Sequence, residues 1–466
     1  MPRIPKKPHL PDCHDHSSTE NDILQTSESP VLFSEIIHLI LDNFSAARAD
    51  EKQDLLNIAM VSKAWCREAQ AKLFAVIHVN SADRCKFWSR KFKKSPHLGL
   101  LVRELRLSDP HDNCLERPYM RTQPAKALAL ACSNVRKVEV GEFKRWGQVE
   151  QRVLKSFVSV QELSLLYSPA LSRTRDVPDL IYNLPKLCKF GVGIVGEDYR
   201  FVESSSVHED GLFLREQLPP NGKPIQLSHI TFWCSEYCRD LFLWMTGPAF
   251  DHSKLEHVTL SWRDIIVPHM SDHRSIPNVD VLSDFLRIVG QHLSSLSLIL
   301  PAQPHPILLL RTPRIDLMSE YLQSSKVLNN LTQLRVLTIR IGKDVRYWER
   351  DVTFGLFRVL PILSVLEVPL LATINLTVDI NMDELESDDR YQLPLWEILD
   401  SLLSGDRFPS LRSFNWDIQA DHWPSQAALA PRLSESDLVR YKGKILNCLP
   451  GTVSKRNVVN VNLVVH

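Results

Sequence analysis

The sequence predicts an α/β chain: a small all-α segment of three helices, then an irregular solenoid of parallel strands with outer helices. Three observations predict it. A hexad of the form apolar-x-x-apolar-x-apolar recurs between residues 102 and 416. Helix-prone stretches lie between the hexads. A run of short apolar-periodic segments, residues 32–74, precedes the first of them.

The chain has 466 residues, enough for several domains or one elongated array. Its 44% hydrophobic fraction is that of a globular protein. Lys+Arg and Asp+Glu both count 55, a balance that argues against a broad nucleic-acid footprint. Nine cysteines without a repeating framework fit reduced thiols, hence a cytoplasmic or nuclear setting. Residues 1–28, rich in Pro, Ser, Asp and His, read as a disordered tail. They hold no apolar core of a secretory signal, and no stretch reaches the ~18 apolar residues of a membrane helix.

The helical segment occupies residues 29–78. Ile36, Ile37, Ile40, Leu41 and Phe44 fall on one helical face. Ser34 reads as the N-cap, with the Glu35 carboxylate in the first turn. Leu55, Leu56, Ala59 and Met60 open a second apolar face, and Trp65, Ala69, Leu73 and Phe74 a third. Helices this short must pack on one another. The bland reading is a helical cap on the larger domain beyond it.

With its Val61-Ser62-Lys63-Ala64-Trp65 ending, the segment resembles an F-box, the module that docks on the Skp-type adaptor of cullin-RING ubiquitin ligases. The family opens on Leu-Pro-x-Glu; here stand Leu32, Phe33, Ser34 and Glu35, with Phe33 in place of the proline. The resemblance implies Leu32, Ile36, Ile40, Val61 and Trp65 for adaptor docking and for the box's own core. The sequence does not separate those two roles.

Residues 79–100 read as a linking helix, and residues 101–466 as the repeat domain. Its hexads are VRELRL (102–107), VRKVEV (135–140), VQELSL (160–165), LCKFGV (187–192), LSHITF (227–232), LEHVTL (255–260), LSSLSL (293–298), LRVLTI (334–339), LSVLEV (363–368) and LRSFNW (411–416). The last three residues of each alternate in–out–in, as a half-buried strand requires. Their centres are 25 to 48 residues apart, and no ladder asparagine recurs. Helix-prone segments at 124–131, 279–293 and 395–403 precede strands, as parallel crossovers require. The pattern resembles degenerate leucine-rich repeats. An ordinary α/β domain without curvature is the alternative. Box and repeats together resemble a class of fungal F-box proteins over nearly the whole chain.

In that arrangement the third and fifth positions of each hexad line one open face. The candidates for holding a target are His229, Thr231, Trp233, His257, Thr259, Trp262 and Thr338. Val365 and Glu367 fall on the same face; Trp233, Trp262 and Trp416 lie near strand ends, where the plainer reading of each is a cap on the core.

Other chemistry is weaker. Gly191-Val-Gly193-Ile-Val-Gly196 matches a dinucleotide fingerprint, but residues 197–211 have weak helical periodicity and supply no helix to meet a pyrophosphate. A loop insertion explains these glycines better. Cys13, His14 and His16, and Cys234 with Cys238, lack a second ligand pair for a metal. The acidic run Asp383 to Asp389 has no basic neighbour and reads as a solvated loop. Residues 84–94, RCKFWSRKFKK, read as an anion, membrane or nucleic-acid patch, or as a joint burying Cys85, Trp88 and Phe92, whose i, i+3, i+7 spacing favours the joint. No catalytic residue, cofactor or metal is expected.

The sequence supports two functions. The first is a non-enzymatic substrate adaptor of an SCF-type cullin-RING ligase, partnered by a Skp-type adaptor and a protein target. No nucleic-acid or membrane partner is expected. The second is a ligase-independent repeat scaffold with a vestigial box.

Overall fold

A computed structural model describes residues 30–44, 49–108, 119–141, 143, 148–166, 176–193, 222–233, 238–261, 279–300, 322, 326–341, 352–381, 394–421, 435–456 and 459–465. The chain forms two compact units, Met1–Leu73 and Phe74–His466. The expected N-terminal tail, Trp262, Gly196, Cys234 and the acidic run lie outside the described residues.

The first unit is helical. Helix α1 spans Pro30–Asp42, α2 Ala49–Ile58, and α3 runs from Lys63 to Ala75. Helix α1 opens at Pro30, so Ser34 lies inside it rather than capping it. The proline ring pre-sets the first-turn φ, which moves the start four residues upstream of the Ser34 signal. Ile37, Leu41 and Leu55 form the buried cluster, with Phe44, Ile58, Trp65 and Leu73 packed against it. The ion pair Lys72–Asp42 (2.5 Å) and the polar contact His38–Glu68 (3.1 Å) join α1 to α3. Both are partly solvated and contribute little beside the cluster.

The second unit is built on one sheet. Its strands are β1 (Val76–Val79), β2 (Glu104–Ser108), β3 (Lys137–Gly141), β4 (Glu162–Leu166), β5 (Lys189–Gly193) and β6 (His229–Trp233). They continue as β7 (His257–Ser261), β8 (Ser295–Leu300), β9 (Val336–Ile341), β10 (Thr373–Asn381), β11 (Ser413–Asp421) and β12 (Val459–Val465). All twelve are parallel, and their spatial order is their sequence order.

The register is uniform. Ile77, Leu105, Val138, Leu163, Phe190, Ile230, Val258, Leu296, Leu337, Ile374, Phe414 and Val459 share one rung. Nine of the ten hexads therefore supply strands with their central residue on that rung. From Ile77 to Phe414 the rung is buried, as is the next inner one through Leu107, Val140 and Leu165 to Trp416. Helices between the strands close this core. Phe285 of helix Val279–Val289 meets Phe232 edge-on, and Trp396 of helix Pro394–Ser404 stacks on Trp416 at 5.0 Å. Trp416 thus belongs to the core, not the open face.

One hydrogen-bond pattern repeats at the strand starts from β2 to β10. The carbonyls of Arg103, Arg136, Gln161, Cys188, Ser228, Glu256, Ser294, Arg335 and Ala372 each accept two successive N–H groups from the next unit. The Arg103 oxygen, for example, takes Arg136 N at 2.8 Å and Lys137 N at 3.0 Å.

The hexad at 363–368 is not a strand. Residues Val352–Val365 form a helix with Leu356, Val359, Leu360 and Leu363 buried at i, i+3, i+4 and i+7. Pro361 inside it disguises the helical period, and Leu363, Leu366 and Val368 then mimic the hexad. Val365 and Glu367 consequently leave the open face; β10, from Thr373, takes that place. The sheet also begins inside the segment assigned to the box, because Val76–Val79 pair with β2. The linking region forms two helices, Ala82–Lys94 and Pro96–Leu101, separated at Ser95. A residue before proline is driven out of the α region, and Ser95 sits at ψ 78°. Among the described residues, no helix is long and apolar enough to cross a membrane.

Leu105→Ala or Leu337→Ala should destabilise the second unit by ~2–5 kcal/mol, because the cavity cannot collapse in a register-locked sheet. Thr231→Ala, on the open side, should cost less than about 1 kcal/mol. Denaturant midpoints of the full chain check both.

Candidate interaction face

Side chains at alternate strand positions turn away from the core and form a half-exposed, polar sheet face. Parallel strands in register place equivalent residues one strand spacing apart, about 4.8 Å. The rows of this face can therefore be read directly from the pairing.

The first row begins with alternating charge: Glu104, Lys137, Glu162 and Lys189 stand on successive strands. Lys137 bridges to Glu162 at 3.0 Å. His229 and His257 come next, paired across β6 and β7, with ring centroids 4.1 Å apart and planes 21° apart. Ser228 donates its hydroxyl proton to the Cys188 carbonyl at 3.1 Å, so its Oγ accepts from His229 Nδ1 at 2.8 Å. That fixes the Nδ1–H tautomer in neutral His229. Burial pushes the His229 pKa down, and His257 and Lys189 push in the same direction; Glu256 and Glu162 oppose them.

The second row is uncharged from β6 onward. Thr231, Thr259, Ser297 and Thr338 are successive partners. Thr338 joins an amide ladder: Asn375 Nδ2 donates to Thr338 Oγ1 (3.1 Å), Asn415 Nδ2 to Asn375 Oδ1 (2.7 Å), and Asn460 Nδ2 to Asn415 Oδ1 (2.9 Å). Asn462 Nδ2 donates to Asp417 Oδ1 at 2.9 Å one row further.

The third row holds Trp233. It lies over Gly191 and Gly193 on the adjacent strand. A Cβ on Gly193 would fall 2.7 Å from Trp233 Cβ, and one on Gly191 would fall 2.9 Å from its ring. These glycines make room for an indole laid on the sheet. They lie in β5, not in a loop insertion.

The face thus collects His229, Thr231, Trp233, His257, Thr259 and Thr338 on one sheet surface. Sequence reasoning missed the glycine shelf and the amide ladder. The signal for the ladder was an Asn between two apolar residues in Ile374-Asn375-Leu376, Phe414-Asn415-Trp416 and Val459-Asn460-Val461.

In the helical unit, burial divides the residues singled out from the sequence. Ile36, Ile40 and Val61 are exposed, Val61 to 68%, whereas Trp65 packs on the buried cluster. Leu32 lies in α1, and its side chain is outside the described residues. Leu39 and Met60, not singled out from sequence, are each 69% exposed. Ile36, Leu39 and Ile40 stand at i, i+3 and i+4, one face of α1.

Burial pushes the Cys85 and Cys132 thiols up to about 11 and about 12, so both are protonated core side chains. Compared with known proteins, the chain matches no family model and no curated protein.

Two outcomes are expected. Gly193→Ala and Trp233→Ala should couple in a double-mutant cycle by about 1 kcal/mol, since removing the indole removes the clash. His229 should titrate below its usual 6.5 in an NMR titration. The folded chain then binds fewer protons than the unfolded chain, so stability is full above pH 6.5 and is lost as pH falls through the folded midpoint. His229→Gln should flatten that acid limb.

Proposed function

We propose that the chain is the substrate-recognition adaptor of an SCF-type cullin-RING ubiquitin ligase. In this reading the helical unit is an F-box that docks on a Skp-type adaptor. The leucine-rich-repeat-like sheet face holds a protein target, in the cytoplasm or nucleus. The observation that carries it is the division within residues 30–73. Ile37, Leu41 and Leu55 are spent on the unit's own core, while Ile36, Leu39, Ile40, Met60 and Val61 are left in solvent beside the Val61-Ser62-Lys63-x-Trp65 ending. So small a unit with so many exposed apolar side chains is suited to a partner surface. The target-holding role draws on the polar face with its His pair and Trp233.

The chain has no chemistry of its own in this reading. It raises the effective concentration of a target lysine near the charged conjugating enzyme. One observation favours the second reading, a ligase-independent scaffold with a vestigial box. Phe33 stands in the place of the family's proline, inside an unbroken α1.

Co-purification of the full chain with a Skp-type adaptor decides between them. Wild type should bind. Ile36→Asp/Ile40→Asp should lose the adaptor with an unchanged melting temperature, because both side chains are already exposed. Folded wild type that binds no Skp-type adaptor selects the scaffold.

A further inference from the structure

We propose that helix Ala82–Lys94, with its neighbouring helices, docks an acidic segment of a partner protein that carries spaced apolar anchors. The helix bears Arg84, Lys86, Arg90, Lys91, Lys93 and Lys94 in a chain whose formal net charge is zero. Its one carboxylate, Asp83, sits 3.5 Å from Lys86. Cys85 and Phe92 are buried, and Trp88 stacks on Phe92 at 5.5 Å and meets Phe74 edge-on at 6.0 Å. That accounts for one side of the helix.

Phe87 meets Trp88 edge-on at 5.1 Å at the border of that side and is still 55% exposed. Arg84, Arg90, Lys91 and Lys94 lie at i−3, i+3, i+4 and i+7 from it, so they surround the ring on the helix surface. Helix Gln123–Ala131 packs alongside; like Pro96–Leu101, it has no carboxylate. It adds exposed Lys126, and Leu130 is 76% exposed. Leu100, at the end of Pro96–Leu101, is also exposed.

A solvated helix end explains the three lysines of the last turn, which the helix dipole favours. It does not explain Arg84, Lys86 and Arg90 around an exposed aromatic ring. The chemistry selects the occupant. A nucleic acid would engage the cations and stack on Phe87, but it offers nothing to Leu100 and Leu130. A lipid surface needs a broad apolar helix face, and here that face is spent on the core. An acidic segment with spaced apolar side chains satisfies cations and anchors together. The surface shares no residue with the proposed Skp docking face, so the two readings stand or fall separately.

The test uses the full chain and fluorescence anisotropy of the labelled peptide Glu-Asp-Glu-Phe-Asp-Glu-Leu-Asp-Asp. Comparators are the same peptide with Ser for Phe and Leu, an oligouridine of equal charge, and phosphatidylserine vesicles. Wild type should prefer the anchored peptide over the Ser peptide by about tenfold, the scale of one well-placed anchor. Phe87→Ala, Arg90→Gln/Lys94→Gln and Arg84→Gln/Lys86→Gln should each weaken it several-fold at unchanged melting temperature. The proposal is overturned if wild type does not bind, if it binds both peptides equally, if it prefers oligouridine or vesicles, or if the folded variants bind like wild type.

Discussion

The sheet of the second unit depends on the carbonyl that each strand start from β2 to β10 lends to the next strand. One oxygen accepting two consecutive N–H groups admits a single alignment of neighbouring strands. Once the Arg103 oxygen holds Arg136 and Lys137, Leu105 must face Val138. The same step recurs along the array to Ala372 and β11. A slip of one residue would turn the buried rung to solvent and bring the charged row into the core. Hydrogen bonding fixes the alignment, and apolar burial penalises any other.

That alignment makes the open face what it is. Two histidines stack because strands in register hold equal positions one spacing apart. Three asparagines at one row donate amide hydrogen bonds from strand to strand for the same reason. Trp233 lies flat only because the two facing positions on β5 have no side chains. Each feature is a row property, absent from any single repeat.

The sequence revealed the strands wherever three apolar residues alternated after a turn, which is why nine hexads landed on one rung. It misled at 363–368, where the end of the Val352–Val365 helix and the residues after it imitate the same spacing. It missed β10 itself, although Leu371, Ile374 and Leu376 carry the same hexad spacing, because the overlapping match at 363–368 stood just before it. On the open face, composition pointed to His229 and His257. The partners of Asn375 stand 37 residues before and 40 residues after it, beyond the reach of local patterning. In the helical unit, period alone placed Ile36 and Ile37 on one face. Only packing showed that the first is in solvent and the second in the core.

The rung residues of successive strands are as few as 25 positions apart, between Val138 and Leu163, and as many as 45, between Phe414 and Val459. The alignment is the same in both cases. Genetic insertions and deletions between units therefore have little structural consequence, provided that the lending carbonyl and the two residues it receives survive. Such a chain tolerates drift in length and in most of its identities while conserving a one-oxygen step and an apolar beat of two. Relatives diverging by that route would keep the architecture long after sequence comparison had lost them.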